Sequence, residues 1–412
     1  MSYTELDLSL TEDHVALKEA VHKFAMGVLR PAAIELDRMT PEQVVEKNSL
    51  YWKCMKQMYE LNYHTVLISD AYGGLGLDPL ATHIVWEELS YGSVGFAVSL
   101  GCSCFNAFYA SMMADDYMID KFIVPFVECR DASVMSCWGI TEPDHGSDIL
   151  MSGTDNFHNP KVTQQVKVTK KGGDYVLNGQ KSSWISNGPV ASNISLFVNL
   201  EPSMGMAGGG ICLVDLNQPG ISRGKPLNKM GQRELPQGEI FFDNAVCPGP
   251  HMIIDQESYE LMTDLTLAHA NATMGAYFTG VAQAAYDMAV QYSTERVQGG
   301  KRLCDHQFVQ KKLFEMFCKT ATARSFSRDA MCYNMNTTPP DVKYSIASKV
   351  YCTQAAMEVT HDAVQIFGGY GLSKEFPIEK LFRDARAGLI EDGSNDSLAI
   401  TAGNMIVKEA VA

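Results

Sequence analysis

Near the C-terminus the chain reads LIEDGSNDSLAI, from Leu389 to Ile400. Two adjacent carboxylates, Glu391 and Asp392, precede Gly393, and Ser394, Asn395 and Asp396 lead into an apolar stretch. Such residues can do two kinds of work. Asp, Ser and Asn cap helices, because a short side-chain oxygen accepts a free backbone N–H. A carboxylate enclosed by apolar groups instead has its pKa raised and becomes a general base near neutral pH. Adjacent carboxylates in an extended segment point to opposite sides, so only one of the two can face a given substrate. A second polar cluster is SCWGITEPDHGSD, Ser136 to Asp148, where Gly146 allows close backbone approach to a ligand and Thr141 and Ser147 offer hydroxyls. A third is QIFGGYGL, Gln365 to Leu372, whose glycines suit a helix C-cap and a close ligand alike. Ligand spacing gives no metal site: the eleven cysteines contain no CxxC and the ten histidines no HxxxH.

The elements that must position these clusters come in three blocks. Apolar residues at helical spacing (Val15, Leu17, Val21, Phe24, Ala25, Val28, Leu29) run through residues 8–30 behind the start signals Thr11 and Asp13, and helical patterns continue to about Asp131. From Ser133 to about Val246 the texture turns to short β-rich runs, with KKGGD placed as a hairpin turn. Beyond His251 long helical patterns return, including about 306–333 and 341–366. The expected domains are therefore 1–132 (helical), 133–247 (β) and 248–412 (helical bundle). With 46% hydrophobic and 20% charged residues the chain can bury a large core. A net charge of -15 without a basic cluster argues against nucleic acid or an acidic membrane as partner. The N-terminal stretch has the pattern of neither a signal nor a transit peptide, and no apolar run reaches membrane-spanning length. Scattered, unpaired cysteines suit a reduced cytoplasmic setting.

TEPDHGSD resembles the Thr-Glu-Pro-x-x-Gly-Ser-Asp signature of the acyl-CoA dehydrogenase family. QKSSWISNG (Gln180 to Gly188), RVQGGKRLCDHQ (Arg296 to Gln307), QIFGGYGL and RDAR (Arg383 to Arg386) are similar to further family segments, in the same order. The resemblance implies an α+β, mainly α fold: an N-terminal helical domain, a central β-domain and a C-terminal four-helix bundle. It also implies non-covalent FAD between β-domain and bundle. Trp184 would lie against the isoalloxazine, with Ser186 near N5. Trp138, Ile140 and Thr141 would meet the pyrimidine edge, and Ser147 the nucleotide or CoA side. Ser394 and Asp396 would also border the cofactor. Arg296, Gln307, Gln365 and Gly369 would reach the FAD of a neighbouring subunit, which makes the protein a homo-oligomer, as a dimer of dimers (homotetramer). Tyr91, Phe96, the stretch Cys102 to Phe105, Arg233, Tyr370 and Gly393 would line the acyl or CoA channel.

The family's catalytic Glu precedes a Gly and a Ser or Thr, a position held here by Asp392, with Glu391 as the rival. The implied reaction removes the α-proton of an acyl-CoA thioester while a β-hydride passes to flavin N5 and electrons continue to electron-transferring flavoprotein. Three residues depart from the pattern: Asp392 for Glu, Thr266 for an Arg expected near the CoA and substrate channel, and Gly299 for a Phe. The shorter acid reaches about 1.5 Å less far, which points to short, branched, cyclic or aryl-substituted acyl groups. The alternatives are a flavin oxidase of the nitroalkane oxidase type and a non-catalytic flavin-binding subunit.

Overall fold

The computed structural model describes residues 5–411. The first helix, α1 (Glu12–Phe24), starts where Thr11 predicts. The Thr11 hydroxyl accepts from the His14 amide while the His14 ring accepts from the Thr11 amide, a reciprocal cap. The helical first region then builds α2 (Pro79–Gly92), α3 (Val94–Ser103) and α4 (Phe105–Met113). Contrary to the sequence expectation, residues 94–113 are together apolar enough to pass for a membrane span, with a mean hydropathy of 1.3. Here 78% of that window is buried within the protein, and the stretch bends at Cys104 into two helices. Its apolarity serves the core, where Phe96 and Leu100 are fully enclosed.

The middle region is a sheet of eight strands, β1 (Ser136–Gly139), β2 (Lys167–Lys171), β3 (Asp174–Ser186), β4 (Asn193–Asn199), β5 (Gly209–Asp215), β6 (Ile221–Arg223), β7 (Gln237–Cys247) and β8 (Met252–Ile254). Their order is β6-β7-β3-β2-β4-β5-β8, with β1 parallel to β4. Gly172 and Gly173 turn β2 into β3, opposing Lys171 to Asp174, as KKGGD predicts. The short strands β6 and β8 lacked the alternating run that marks the others, and β8 carries the sheet past residue 247.

The C-terminal region packs α5 (Tyr259–Glu295), α6 (Gln307–Asn336), α7 (Val342–Phe367), α8 (Ile378–Gly388) and α9 (Asn395–Val411). Small residues let α5 approach its neighbours: a side chain at Gly280 would strike the Glu87 carbonyl of α2, and one at Gly388 the ring of Phe278. Between α5 and α6 a two-residue hairpin pairs Gln298 with Lys301. Its turn is Gly299 (φ +65°) and Gly300 (φ +83°). Both positions need the left-handed backbone of a type I′ turn, which explains the glycine where a Phe was expected.

Charged groups tie the three regions together. Lys380 of α8 sits buried between Glu234, which follows β6, and Asp384, with Nζ–O distances of 2.9 and 2.6 Å. Ser93 donates to the same Glu234. Arg383 grips both oxygens of Asp37 in the first region at 2.8 and 2.7 Å and donates to the Met230 carbonyl at 2.6 Å. Breaking one partner out of such a buried set costs about 3–5 kcal/mol, because the remaining charge is left without compensation.

Candidate active site

The segment Leu389–Ser394 joins α8 to α9. The capping question has a definite answer: Ser394 caps α9, its Oγ accepting from the Ser397 amide at 3.2 Å, so the cap does not use Asp392. Asp392 (φ +53°) and Gly393 (φ +91°) form a left-handed pair, a conformation that Asp tolerates better than bulkier residues. The turn is closed by the Asn395 amide donating to the Leu389 carbonyl at 3.0 Å. Among the described residues, the Asp392 amide donates to no protein acceptor, so its N–H is free to meet a ligand oxygen.

A buried lysine, a half-buried lysine and a glutamine surround the carboxylates. Lys349 of α7 donates to the Gly393 carbonyl at 2.7 Å and the Asn395 Oδ1 at 2.8 Å. Gln232 donates from Nε2 to Glu391 Oε1 at 2.7 Å, and its own amide donates to Asp384. Lys229 donates to the Leu235 carbonyl and Gln237 Oε1, each at 2.8 Å. Burial pushes Asp392 up to about 6 against the opposing pull of Lys349. Burial likewise pushes Glu391 up to about 7, opposed by the Gln232 hydrogen bond. Burial first and the Asp392 charge second push the Cys102 thiol of α3 well above its ordinary range, and burial, then the Cys102 and Cys104 thiols, then the two carboxylates do the same to the Tyr277 hydroxyl of α5. A carboxylate poised near neutrality beside neutral, enclosed groups is the environment a general base requires.

The TEPDHGSD loop adjoins this turn. Ser147 Oγ accepts from the Ser394 amide at 2.8 Å, so this hydroxyl, expected on the nucleotide or CoA side, holds the carboxylate turn in place. Glu142 is fully buried as the loop's anchor, taking the amides of Gln165 and Val166 and the ammonium of Lys181 at 2.7 Å. Lys181 also reaches the Ile140 carbonyl, and the Thr141 carbonyl accepts from the Ser182 amide at 2.9 Å. Trp138 is buried against Phe105, ring centroids 5.1 Å apart, with its indole N–H unpartnered.

Trp184 behaves differently. It lies on β3 at a register shift against β7, and 56% of it is exposed, a high value for a tryptophan inside a strand. Gln237 donates to its carbonyl and to Ser186 Oγ, which fixes this stretch of backbone. An exposed indole above a fixed strand is a ready platform for a flat heteroaromatic ring. The WISN asparagine, Asn187, is a positioning group that motif reading did not single out. It is buried and bonded on both amide atoms to Ser99 of α3.

Several expected site residues lie apart from the carboxylate turn. Arg296, Gln307, Gln365 and Gly369 are exposed, Arg296 lying over the ring of Tyr370 at 5.7 Å. Asp396 is exposed on the first turn of α9. Phe96 is wholly buried and stacked on Tyr51, and Tyr91 donates to Asp287 at 3.0 Å. Neither ring is turned to the carboxylate turn by these contacts. Arg233 spends its guanidinium on Asn228, the Lys229 carbonyl and the Met39 carbonyl. Thr266, where a charge was expected, is a buried partner of the Tyr109 hydroxyl at 2.8 Å. On the same helix Asn271 is wholly buried with neither amide atom partnered. It shares the helix face of Phe278, which meets Gly388 just ahead of the turn.

Comparison with known proteins agrees with this architecture from end to end. Residues 11–125, 137–245 and 261–406 match the N-terminal, middle and C-terminal domain models of acyl-CoA dehydrogenase. The short-chain specific acyl-CoA dehydrogenase of Megasphaera elsdenii is 30% identical over 97% of this chain and all of that protein. Cyclohex-1-ene-1-carbonyl-CoA dehydrogenase of Syntrophus aciditrophicus is 28% identical, covering 97% and 91% of the two chains. The structure of butyryl-CoA dehydrogenase from Megasphaera elsdenii superposes with a TM-score of 0.85 at 28% identity, over 98% of this chain and all of the other. A shared fold, three consecutive domain matches and full-length similarity have one reading: this chain belongs to the acyl-CoA dehydrogenase family and is an oxidoreductase acting on CH–CH bonds.

Proposed function

We propose that the protein dehydrogenates an acyl-CoA thioester between its α- and β-carbons, with Asp392 as the base. The observation that carries this reading is the Asp392 carboxylate itself. It is held in a fixed turn, raised to about 6 by burial, and attached to a backbone N–H free to donate to a thioester carbonyl. A hydrogen bond to that carbonyl stabilises the enolate that forms as the α-proton leaves. Asp392 then holds the proton, with the buried, un-ionised Cys102 thiol and Tyr277 hydroxyl facing it. The cofactor is FAD, which supplies the acceptor for the β-hydride when bound. Trp184 and Ser186 suit its ring system, and the backbone of Ile140 and Thr141 its pyrimidine edge.

The exposed set Arg296, Gln307, Gln365 and Gly369 supports a second subunit completing the cofactor site, hence a homo-oligomer built as a dimer of dimers. Phe308 and Phe314, 69% and 64% exposed near the start of α6, are apolar area suited to such an interface. The short reach of Asp392 and the named activities of the two relatives support a short or cyclic acyl group, with branched and aryl-substituted groups in the same class. Electrons pass to electron-transferring flavoprotein in this reading.

The test is reductive titration of the FAD-loaded enzyme without oxygen. Butyryl-, octanoyl-, cyclohexanecarboxyl- and benzylsuccinyl-CoA are added separately and the flavin absorbance followed. Bleaching by butyryl- or cyclohexanecarboxyl-CoA is expected. No bleaching by any thioester, with oxygen consumed on a nitroalkane, would replace this reading by the oxidase one.

A further inference from the structure

Helix α7 carries a lysine within its buried face. Ser345, Lys349, Cys352 and Ala356 follow one another along that face, and Lys349 has no accessible surface. An ammonium in such a place is costly unless opposite charge and hydrogen-bond acceptors answer it. It donates to the Gly393 carbonyl at 2.7 Å and to Asn395 Oδ1 at 2.8 Å. Asn395 is itself held by Thr353, whose Oγ1 accepts from Asn395 Nδ2 at 3.0 Å. The ammonium therefore grips the turn on its far side, at the residue following Asp392.

We infer that Lys349 is a positioning residue for the base: it locks the left-handed Asp392–Gly393 turn through the Gly393 carbonyl and keeps a positive charge against the Asp392 carboxylate. This inference rests on the reading of Asp392 as the base. A turn with two consecutive positive φ values is held only when its surroundings determine it, and Lys349 supplies a bond on the carbonyl side as Ser147 does on the amide side. The charge acts in parallel. Burial brings Lys349 down to about 8, with Asp392 and Glu391 opposing that fall. The other ionisable groups facing the turn are Cys102 from α3, Tyr277 from α5 and Lys229, which precedes β7. Lys229 is shared with Glu391, Glu234 and Asp384, and Lys380 faces it too. Lys349 is the cation whose pull is felt by Asp392. Removing it leaves the carboxyl protonated at a pH where the intact enzyme's is ionised.

Lys349→Met is made in the full-length, FAD-loaded enzyme. The acid limb of its kcat/KM profile is expected to move up by at least about one pH unit. Amide exchange in peptides spanning 389–398 is expected to quicken by at least about tenfold, with FAD content per subunit unchanged. Lys349→Gln keeps donors without charge, so it should move the limb while exchange stays closer to that of the parent. An acid limb at the parent pH in both variants overturns the proposal, as does parental exchange in Lys349→Met. Should Lys349→Met yield no loaded protein, Asn395→Ala, which removes one seat of the ammonium, is expected to speed the same exchange, and parental exchange there overturns the proposal. Exchange does not depend on which residue takes the proton, so failure of the base assignment is detected separately, by full turnover in Asp392→Asn.

Discussion

The carboxylate turn and the exposed rim, two ends of the site in the reading proposed above, are built in opposite ways. At the turn, a single chain supplies the acid, the amide, the cap and the buried cation, from α7, α8, α9 and the TEPDHGSD loop. At the rim, Arg296, Gln307 and Gln365 are exposed at the ends of α5, α6 and α7, with the Tyr370 ring beneath the guanidinium. In the proposed reading, proton chemistry is thus complete within one subunit, whereas retention of the cofactor's outer portion is left to groups that face away from their own chain.

The largest expected effect lies at the turn. Asp392→Asn should lower the rate of flavin reduction by about 10²–10⁴-fold, the usual contribution of a general base, while FAD stays bound with unchanged affinity. In the parent, kcat/KM should rise with pH to about 6 and then level, because the base works only when deprotonated. Next in size is the rim. Arg296→Ala should weaken FAD by about tenfold or more, the worth of a hydrogen bond from a charged donor, with salt reproducing part of the loss and the rate of bound enzyme little altered. Equilibrium dialysis and rapid-mixing absorbance separate the two behaviours, and a rim variant that loses proton abstraction would erase the contrast. The smallest effect should be at Glu391. Glu391→Gln keeps a partner for Gln232, so kcat/KM should change by less than about fivefold. Inactivity there, with activity in Asp392→Asn, would exchange the two acids' roles.

The positions of long elements were open to sequence reading because their signals are local and strong. Helical periodicity placed α6 and α7 within a few residues, and KKGGD gave the β2–β3 turn. The strands β6 and β8, three residues each, are too short to show alternation. At the candidate site, motifs singled out Asp392, which lies in a left-handed turn, and Trp184, whose indole is exposed. Lys349 and Gln232 were not singled out, since their importance comes from meeting the turn across more than forty and 150 residues of chain. The one local sign was a lysine on an otherwise buried helix face. Arg233, read as a group to meet CoA phosphates, has both terminal guanidinium nitrogens engaged, by the Asn228 side chain and by backbone carbonyls from two regions, a contact pattern no local motif announces. Thr266 likewise looked like a lost channel charge and is instead a packed hydroxyl pair.

The double grip of Arg383 on Asp37, together with its bond to the Met230 carbonyl, carries a consequence for how the enzyme comes into being. A nascent chain cannot shape the carboxylate turn until its earliest helices, its middle region and its last helices have docked around α8. No excised fragment should therefore retain partial catalysis, and a lesion near residue 37, remote from any substrate, should surface as a sluggish enzyme before it surfaces as an unfolded one.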